Sequence, residues 1–227
     1  MMRRSTFCVW SLSLLLGAGA CTAEGSTKQK DDEATACKEL LGTSGVDWVK
    51  SNTEAETGVS STSDDLESAK SLFREQAKNW VPSSTKVPLF TNSELCRVVQ
   101  KSDPSTASLS IRYGASVTPF DHPFDKKSTT VPDQTVTPVN ADVKLVYGKD
   151  SREKQRYYVY VRCQVPGAPA GQANEVPLEG VMTDTLTKSD SVDDHLNYLL
   201  HSTRMVLKEF ECQNNPHVPE SAPAHTK

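Results

Sequence analysis

The sequence has no excess of positive charge, and this argues against two classes of partner. Its 25 lysine and arginine residues are outnumbered by 29 aspartate and glutamate residues, which gives a formal net charge of −4 at pH 7. Nucleic acids and anionic membrane surfaces both favour proteins with basic patches. We therefore expect neither of them to be a partner of this chain.

The chain also lacks the motifs of the common catalytic and metal sites. It contains no His-Glu-x-x-His pair, no Gly-x-Ser-x-Gly elbow, no phosphate-binding loop, no dinucleotide fingerprint and no Cys-x-x-Cys pair. Each of these motifs holds ligands, a nucleophile or backbone donors in the arrangement that its chemistry needs. His195 and His201 are six apart on one predicted helix, so a rotation of about 240° around the helix separates them, which leaves them about 120° apart and unable to share a metal. The sequence predicts no metal site, no cofactor and no catalytic residue, and both histidines are expected to be exposed.

No apolar run is long enough to cross a bilayer, because such a helix needs about 20 apolar residues. The uncharged stretch over residues 7–20 follows Arg3 and Arg4 and ends in small residues. A positive start, a short apolar segment and a small-residue cleavage site are the parts of a secretory signal peptide. We therefore predict a signal peptide over residues 1–20, with an ordinary secretory signal favoured over a twin-arginine one.

Cys21 directly follows the predicted cleavage site. The preceding residues, Ala18-Gly19-Ala20, satisfy ordinary signal cleavage and also resemble a lipobox, in which the cysteine receives a diacylglyceryl thioether. Of the six cysteines, Cys8 leaves with the signal, and lipidation of Cys21 leaves an even set of four for an oxidising compartment. Two acyl chains, such as palmitate, anchor a protein stably where one does not. We predict a lipoprotein anchored through Cys21 to the outer face of the plasma membrane.

Composition divides the mature chain into three parts. Residues 21–36 contain no large apolar side chain after the cysteine and are predicted to form a flexible tether. Residues 213–227 hold three prolines and one large aliphatic residue, Val218, which predicts a disordered tail. Residues 37–212 between them are long enough for a single domain with its own core.

Hydrophobic periodicity predicts two main helices and a sheet. Apolar residues recur at helical spacing over 64–80 and 192–210, and a short helix is expected over 35–41, ending at Gly42. Apolar and polar residues alternate with period two in four segments, which are residues 109–117, 142–147, 155–165 and 180–187. Alternation with one polar face is typical of antiparallel strands. The order helix, strands, helix favours an α+β fold with both main helices packed on one face of an antiparallel sheet.

The four remaining cysteines allow three pairings, and we favour Cys37 with Cys96 and Cys163 with Cys212. Cys163 shares the inward face of its strand with a row of valines, and Cys212 ends the helix expected to cover that face. Cys37 begins a predicted helix, and Cys96 lies among apolar residues in the same half of the chain. The other two pairings stay open at this point.

One predicted strand has a polar face made of arginine and tyrosine. In RYYVYVR, the residues Arg156, Tyr158, Tyr160 and Arg162 alternate with apolar ones, so they face away from the predicted helices. Tyrosine and arginine are enriched at the energetic centres of protein interfaces. We take these four residues as a possible partner-binding site. The alternatives are a cation–π ladder across strands, or a further helix packed on this face.

A second candidate lies on the proline-rich loop over residues 118–140. Asp121 stands beside His122, and a carboxylate next to a histidine can orient a catalytic base. No nucleophile motif accompanies the pair, so a charged surface loop is the favoured interpretation. The leading hypothesis is a non-catalytic binding or interaction module of the envelope, and the alternative is an envelope hydrolase that uses Asp121 and His122.

Four segments of the sequence together resemble those of a known group of secreted proteins. They are the signal ending at Cys21, ACKELLG after a polar tether, RYYVYVRCQV, and a terminal helix ending in FEC. In this four-cysteine pattern the chain resembles secreted actinobacterial lipoproteins of the Streptomyces type, which have no assigned activity. The resemblance implies an extracytoplasmic, lipid-anchored location and two disulfides, and it transfers no catalytic residue. The resemblance does not identify a partner, and we expect either an envelope protein or a small ligand.

Overall fold

The computed structural model describes residues 25–54, 56–59, 64–82, 88–105, 107–122, 134–149 and 154–223. The predicted signal peptide, Cys21 and the start of the predicted tether lie outside these residues. The helices are α1 (Gly25–Ser51), α2 (Leu66–Asn79), α3 (Gln172–Glu175) and α4 (Val192–Phe210). The strands are β1 (Thr57–Val59), β2 (Asn92–Gln100), β3 (Ser108–Ala115), β4 (Thr135–Pro138), β5 (Val143–Lys149), β6 (Gln155–Val161) and β7 (Leu178–Asp184).

The seven strands form one sheet in the order β1-β2-β3-β7-β6-β5-β4, and every neighbouring pair is antiparallel. The predicted helices α2 and α4 pack against this sheet, and α1 joins them through contacts with β2 and α4. The predicted α+β class is therefore confirmed. The sheet has three strands beyond the four that the sequence predicts, which are β1, β2 and β4.

Side chains at the helix starts explain where α2 and α4 begin. Asp65 is the N-cap of α2, and its carboxylate accepts a hydrogen bond of 2.7 Å from Ser68 N. Ser191 caps α4, and its hydroxyl accepts one of 3.2 Å from Asp194 N. Each cap satisfies a backbone donor that has no partner within the helix. Both helices then bury one apolar face against the sheet.

α1 consists of two helical segments joined at Gly42, where φ is 69° and ψ is 169°. The predicted helix over 35–41 lies in the first segment, and its predicted end at Gly42 is the break. A Cβ at Gly42 would lie 3.0 Å from His201 Nε2, so α4 approaches this backbone closely. The second segment, which the sequence did not predict as a helix, carries Trp48 and Val49 into the core. Since α1 begins at Gly25, part of the predicted tether has helical backbone, and its flexibility stays a prediction.

The main core lies between the helices and the inward face of the sheet. The alternating inward residues of β3 and β6 are fully or almost fully buried, namely Leu109, Ile111, Tyr113, Tyr157, Val159 and Val161. The Tyr113 hydroxyl donates a hydrogen bond of 2.9 Å to Thr203 Oγ1 of α4. Its ring lies over Gly180 of β7, where a Cβ would come within 2.5 Å of the ring. Glycine at this position therefore lets a large aromatic side chain occupy the centre of the core.

Both predicted disulfides are confirmed. Cys37 of α1 pairs with Cys96 of β2 at a Cα separation of 4.8 Å. Cys163, just after β6, pairs with Cys212, just after α4, at 5.0 Å. The bridges tie the first and last helices to opposite halves of the sheet, as the inward position of Cys163 predicted.

The segment after α4 has neither helix nor strand, yet residues 213–223 lie against the domain. Gln213 N donates to Gln164 O at 2.8 Å, and Ala222 N donates to Asn197 Oδ1 at 2.7 Å. Val218 is buried within the main core. The sequence predicts a disordered tail here, but its backbone groups find partners on the domain and its one large aliphatic side chain finds an apolar contact. Residues 224–227 lie outside the described part of the chain.

Candidate functional site

The face of the sheet opposite the main helices carries a groove of about 470 Å³. It crosses the central strands β2, β3, β7 and β6. Its polar lining includes Asn92, Arg97, Arg112, Lys154, Arg156 and Glu179. The volume is within the range of small-molecule sites, about 300–1,000 Å³. This groove, which we call the polar groove, is the candidate functional site.

A row of facing residues crosses the sheet at the end of the groove. In this row Asn92 of β2 is paired with Gly114 of β3, Gly114 with Glu179 of β7, and Glu179 with Tyr160 of β6. Asn92 reaches across Gly114, and its Nδ2 donates to Glu179 Oε2 at 3.1 Å. A Cβ at Gly114 would lie 2.3 Å from Asn92 Oδ1. The missing side chain of Gly114 is therefore what allows residues two strands apart to hydrogen-bond.

Glu179 is a half-buried carboxyl group surrounded by neutral hydrogen-bond partners. Burial raises the pKa of Glu179, and hydrogen bonds from Asn92, Tyr160 and Ser116 oppose this shift only in part. Burial and the neighbouring Glu179 also raise the pKa of Tyr160 well above its usual value, so its hydroxyl stays protonated. A carboxyl group with a raised pKa in a cleft is typical of a functional site. At the groove, Glu179 can accept hydrogen bonds when ionised and donate one when protonated.

Arginines line the groove on the β2–β3 side, and one glutamate orients them. Glu94 Oε2 accepts from Arg112 Nε at 2.9 Å and from Arg112 Nη2 at 2.7 Å. The same carboxylate lies 3.4 Å from Arg97 Nη1. Glu94 therefore neutralises part of the charge of two arginines and fixes the position of the Arg112 guanidinium at the groove.

Arg156 and Lys154 contribute two further positive charges from the opposite side. Among the described residues, the groove and its rim hold four basic side chains and two acidic ones, Glu94 and Glu179. The chain as a whole has a net charge of −4. Positive charge is therefore concentrated in this concave surface, where it attracts anions more strongly than on a flat, solvated surface.

The predicted stripe of Arg156, Tyr158, Tyr160 and Arg162 does lie on the face opposite the main helices. Arg156 and Tyr158 line the polar groove. Tyr160, however, is only 3% exposed, because Phe120 packs over it in a second, smaller apolar cluster. Arg162 lies over the Phe120 ring, 4.4 Å from its centroid. The expectation that the whole stripe is exposed is therefore wrong, since a returning loop covers its second half.

Asp121 and His122 belong to this returning loop. The Asp121 carboxylate accepts a hydrogen bond of 2.8 Å from Arg162 Nη2, which fixes the loop to the end of β6. Arg162 also donates to Asn174 Oδ1 at 3.2 Å. These contacts give Asp121 a structural role. Residues 123–133 lie outside the described residues, and a catalytic role for His122 stays a prediction.

His195, expected to be exposed, is instead buried, with 1% of its surface exposed. Its Nδ1 lies 2.6 Å from Ser191 O, and its Nε2 lies 2.8 Å from Asp184 Oδ2. The ring stacks on Tyr157 at a centroid distance of 4.3 Å and meets the edge of Trp48 at 4.9 Å. Because this pair is enclosed between α4, α1 and the sheet, we assign it to the core rather than to a ligand site.

Sequence reasoning found Arg156 and Tyr158 but missed Arg97, Asn92 and Glu179. Arg112 has a sequence signal, since SLSIRYGA places it on the polar face of a predicted strand. Glu179 stands just before the predicted strand over 180–187, and β2 was not predicted at all. The groove could be recognised only from the strand order, because it combines β2 and β3 with β6 and β7, and these two pairs are distant in sequence.

The described residues contain no group of three or more histidine, cysteine or acidic side chains placed to hold a metal ion. None of their helices combines the length and the apolar character that crossing a bilayer requires. Comparison of the chain with protein-family models, with curated proteins and with solved structures gave no match.

Proposed function

We propose that this chain is an exported lipoprotein, cleaved before Cys21 and held by a lipid on the outer face of the plasma membrane, as its resemblance to actinobacterial lipoproteins implies. Two observations support the proposal. The two disulfides are typical of proteins that fold in an oxidising compartment. They also use all four cysteines of the described chain, so that Cys21 is left for the lipid once Cys8 is removed with the signal.

Substitution of the anchor cysteine tests this location. Cys21→Ser should release the protein into the medium or leave an uncleaved precursor, because the thioether cannot form. The measurement is fractionation of producing cells together with the intact mass of the protein. Cys8→Ser is the matched control, since that residue leaves with the signal, and it should stay in the membrane fraction. A Cys21→Ser protein that kept both its membrane association and its mature mass would contradict the proposal.

The molecular function that the geometry supports best is a non-catalytic binding module whose site is the polar groove. The concentration of basic side chains in a concave surface of an otherwise acidic protein carries this proposal. Guanidinium groups such as those of Arg112 and Arg156 suit carboxylate or phosphate oxygens as hydrogen-bond acceptors. The ligand is therefore an anionic small molecule, or an acidic group of an envelope partner.

The paired substitution Arg112→Gln/Arg156→Gln tests the groove. Charge-assisted hydrogen bonds contribute about 1.5–3 kcal/mol each, so we expect the affinity for an anionic ligand to fall by about 100-fold or more. The measurement is calorimetric titration with a panel of short carboxylates, phosphates and acidic peptides at two salt concentrations. Lys101→Gln/Lys188→Gln is the control, because both lysines are well exposed and lie outside the groove. Equal binding by the groove variant and the wild type would refute this assignment.

A further inference from the structure

Four residues in one row of the sheet cross the polar groove at the end opposite Glu179. Arg97 of β2 is paired with Ser110 of β3, Ser110 with Thr183 of β7, and Thr183 with Arg156 of β6. All four line the groove, and we call them the arginine row. The row therefore places a hydroxyl group on each of the two central strands and an arginine on each of the two strands beside them.

The donors and the charge of the arginine row match a phosphoryl group better than a carboxylate. Guanidinium and hydroxyl groups are both hydrogen-bond donors, and here they come from four strands at different angles. Glu94 is shared by Arg97 and Arg112, which leaves one net positive charge on that side of the groove, and Arg156 adds a charge from β6. A phosphoryl group has three acceptor oxygens and a charge of about −1.5 to −2 near neutral pH. A carboxylate offers two oxygens in one plane and a single charge.

The uneven distribution of charge along the groove orients such a ligand. Thr183 and Glu179 are four residues apart on β7, which is about 13 Å along a strand. At the far end, the Glu179 carboxyl group and the Asn92 amide are hydrogen-bonded at 3.1 Å. An ionised Glu179 repels a phosphoryl dianion, while the arginine row attracts it. The phosphoryl group therefore belongs over the arginine row, and the end at Glu179 suits hydroxyl groups, which donate to a carboxylate and accept from an amide.

The floor between the two ends of the groove is apolar. Val181 of β7 is paired with Arg112 of β3 on one side and with Tyr158 of β6 on the other, and all three line the groove. An aliphatic side chain beside an aromatic ring packs well against the C–H groups of a sugar ring. The middle of the groove therefore suits a sugar ring rather than a second charged group.

We propose that the polar groove binds a phosphate monoester of a sugar, with the phosphoryl group over the arginine row, the sugar ring beside Val181 and the sugar hydroxyl groups near Glu179. This inference rests on the proposed function, because it names the class of anion that the same groove takes. The phosphoryl group supplies the charge. The sugar supplies the hydrogen bonds that distinguish this ligand from other small anions.

Calorimetric titration of the full-length protein compares ligands that differ in one part only. Two glucose monophosphates, phosphorylated at either end of the sugar, are compared with glucose, inorganic phosphate, glucuronate and the methyl phosphodiester of glucose. We expect one of the glucose monophosphates to bind about tenfold or more tightly than each of these references. Each reference lacks the charge, the sugar, the third oxygen or the second negative charge, and losing one charge-assisted hydrogen bond costs about this factor.

Two variants test the two ends of the groove separately. Ser110→Ala/Thr183→Val removes both hydroxyl groups of the arginine row with little change of shape, and it should lower the affinity for glucose monophosphate and for inorganic phosphate by about tenfold each. Glu179→Gln removes the charged acceptor for the sugar, so it should weaken glucose monophosphate by about fivefold and leave inorganic phosphate no weaker. Thr135→Val is the matched control, since Thr135 is exposed on the edge strand β4 outside the groove, and it should bind both ligands like the wild type. Thermal melting checks that each variant is folded.

The outcomes distinguish this inference from the function on which it rests. If inorganic phosphate, glucuronate, the phosphodiester or an acidic peptide binds as tightly as both glucose monophosphates, the inference falls while anion binding in the groove stands. It also falls if Ser110→Ala/Thr183→Val binds phosphate like the wild type, or if Glu179→Gln does not change the preference for the sugar phosphate over inorganic phosphate. If no anion binds at all, the inference and the proposed function both fall.

Discussion

Asp184→Ala should lower the free energy of unfolding by about 3–5 kcal/mol, because several groups lose their acceptor and each buried donor left unpaired costs about 1–3 kcal/mol. Asp184 Oδ2 lies 2.8 Å from His195 Nε2, and Asp184 Oδ1 accepts hydrogen bonds from the backbone N–H groups of Leu186 and Thr187. Removing the carboxylate leaves these groups without that partner. Urea denaturation at pH 7 measures the loss.

The same pair gives the domain a pH dependence with a definite sign. Burial raises the pKa of Asp184, but hydrogen bonds from His195, the Thr187 hydroxyl and two backbone N–H groups outweigh it, and the net pKa is lowered. A carboxyl group with a lowered folded-state pKa stabilises the fold fully above its unfolded pKa of about 3.9. This contribution is lost as the pH falls through the folded-state pKa. Stability should therefore drop on acidification below about pH 4 in the wild type, and less steeply in Asp184→Ala.

Replacing both partners is the control for this experiment. Asp184→Asn/His195→Gln keeps polar side chains that can hydrogen-bond at both positions, so it should be less destabilised than Asp184→Ala. A double variant as unstable as the single one would mean that packing, and not the unpaired donors, determines the loss. An Asp184→Ala protein with wild-type stability would contradict the stabilising role assigned to these hydrogen bonds.

Cys163→Ala/Cys212→Ala should cost about 4 kcal/mol, because the bridge closes a loop with a sequence separation of 49 residues and restricts the unfolded chain accordingly. The bridge also anchors the end of α4 beside residues 213–223. We therefore expect a lower melting temperature and proteolytic cleavage close to residue 212. Mass spectrometry of limited digests identifies the cleavage site.

Cys37→Ala/Cys96→Ala is the matched comparison. Its loop is of similar length, with a separation of 59 residues, so the loss of stability should be similar. The first cleavage should instead fall in α1, since that is the element this bridge attaches to the sheet. If either variant melted like the wild type, its disulfide would not stabilise the fold. If both were cut first at the same place, the bridges would not secure separate ends of the domain.

Regular periodicity was sufficient to predict about half of the sheet and both main helices. The strand β2 was missed because its register shifts between Glu94 and Cys96, so that Leu95 and Cys96 are both buried and the period of two is interrupted. β1 and β4 have three and four residues, too few to show a pattern. The Cys163–Cys212 bridge could be predicted because Cys163, just after β6, continues the alternation of that strand.

The candidate site was less predictable than the fold. Arg156 and Tyr158 were found from one strand, but their neighbours Arg112 and Glu179 come from β3 and β7, which meet only through long-range pairing. Tyr160 has the same alternation as Tyr158, and only the returning loop with Phe120 makes it buried. His195 is likewise buried because Trp48 of α1 and Tyr157 of the sheet pack against its ring. The apolar periodicity of α4 alone does not indicate that this side of the helix is covered.

The two disulfides also determine how the molecule bears mechanical load. Pulling on the chain before Cys37 transmits force across the sulfur bridge directly to β2, and pulling after Cys212 transmits it to the chain at the end of β6. The helical turns after Cys37 and all of α4 lie between these two covalent attachments and are bypassed by the tension. Stretching would therefore strain the hydrogen bonds between β2, β3, β7 and β6, the strands that form the polar groove, before it could unwind α2, α4 or the turns of α1 after Cys37.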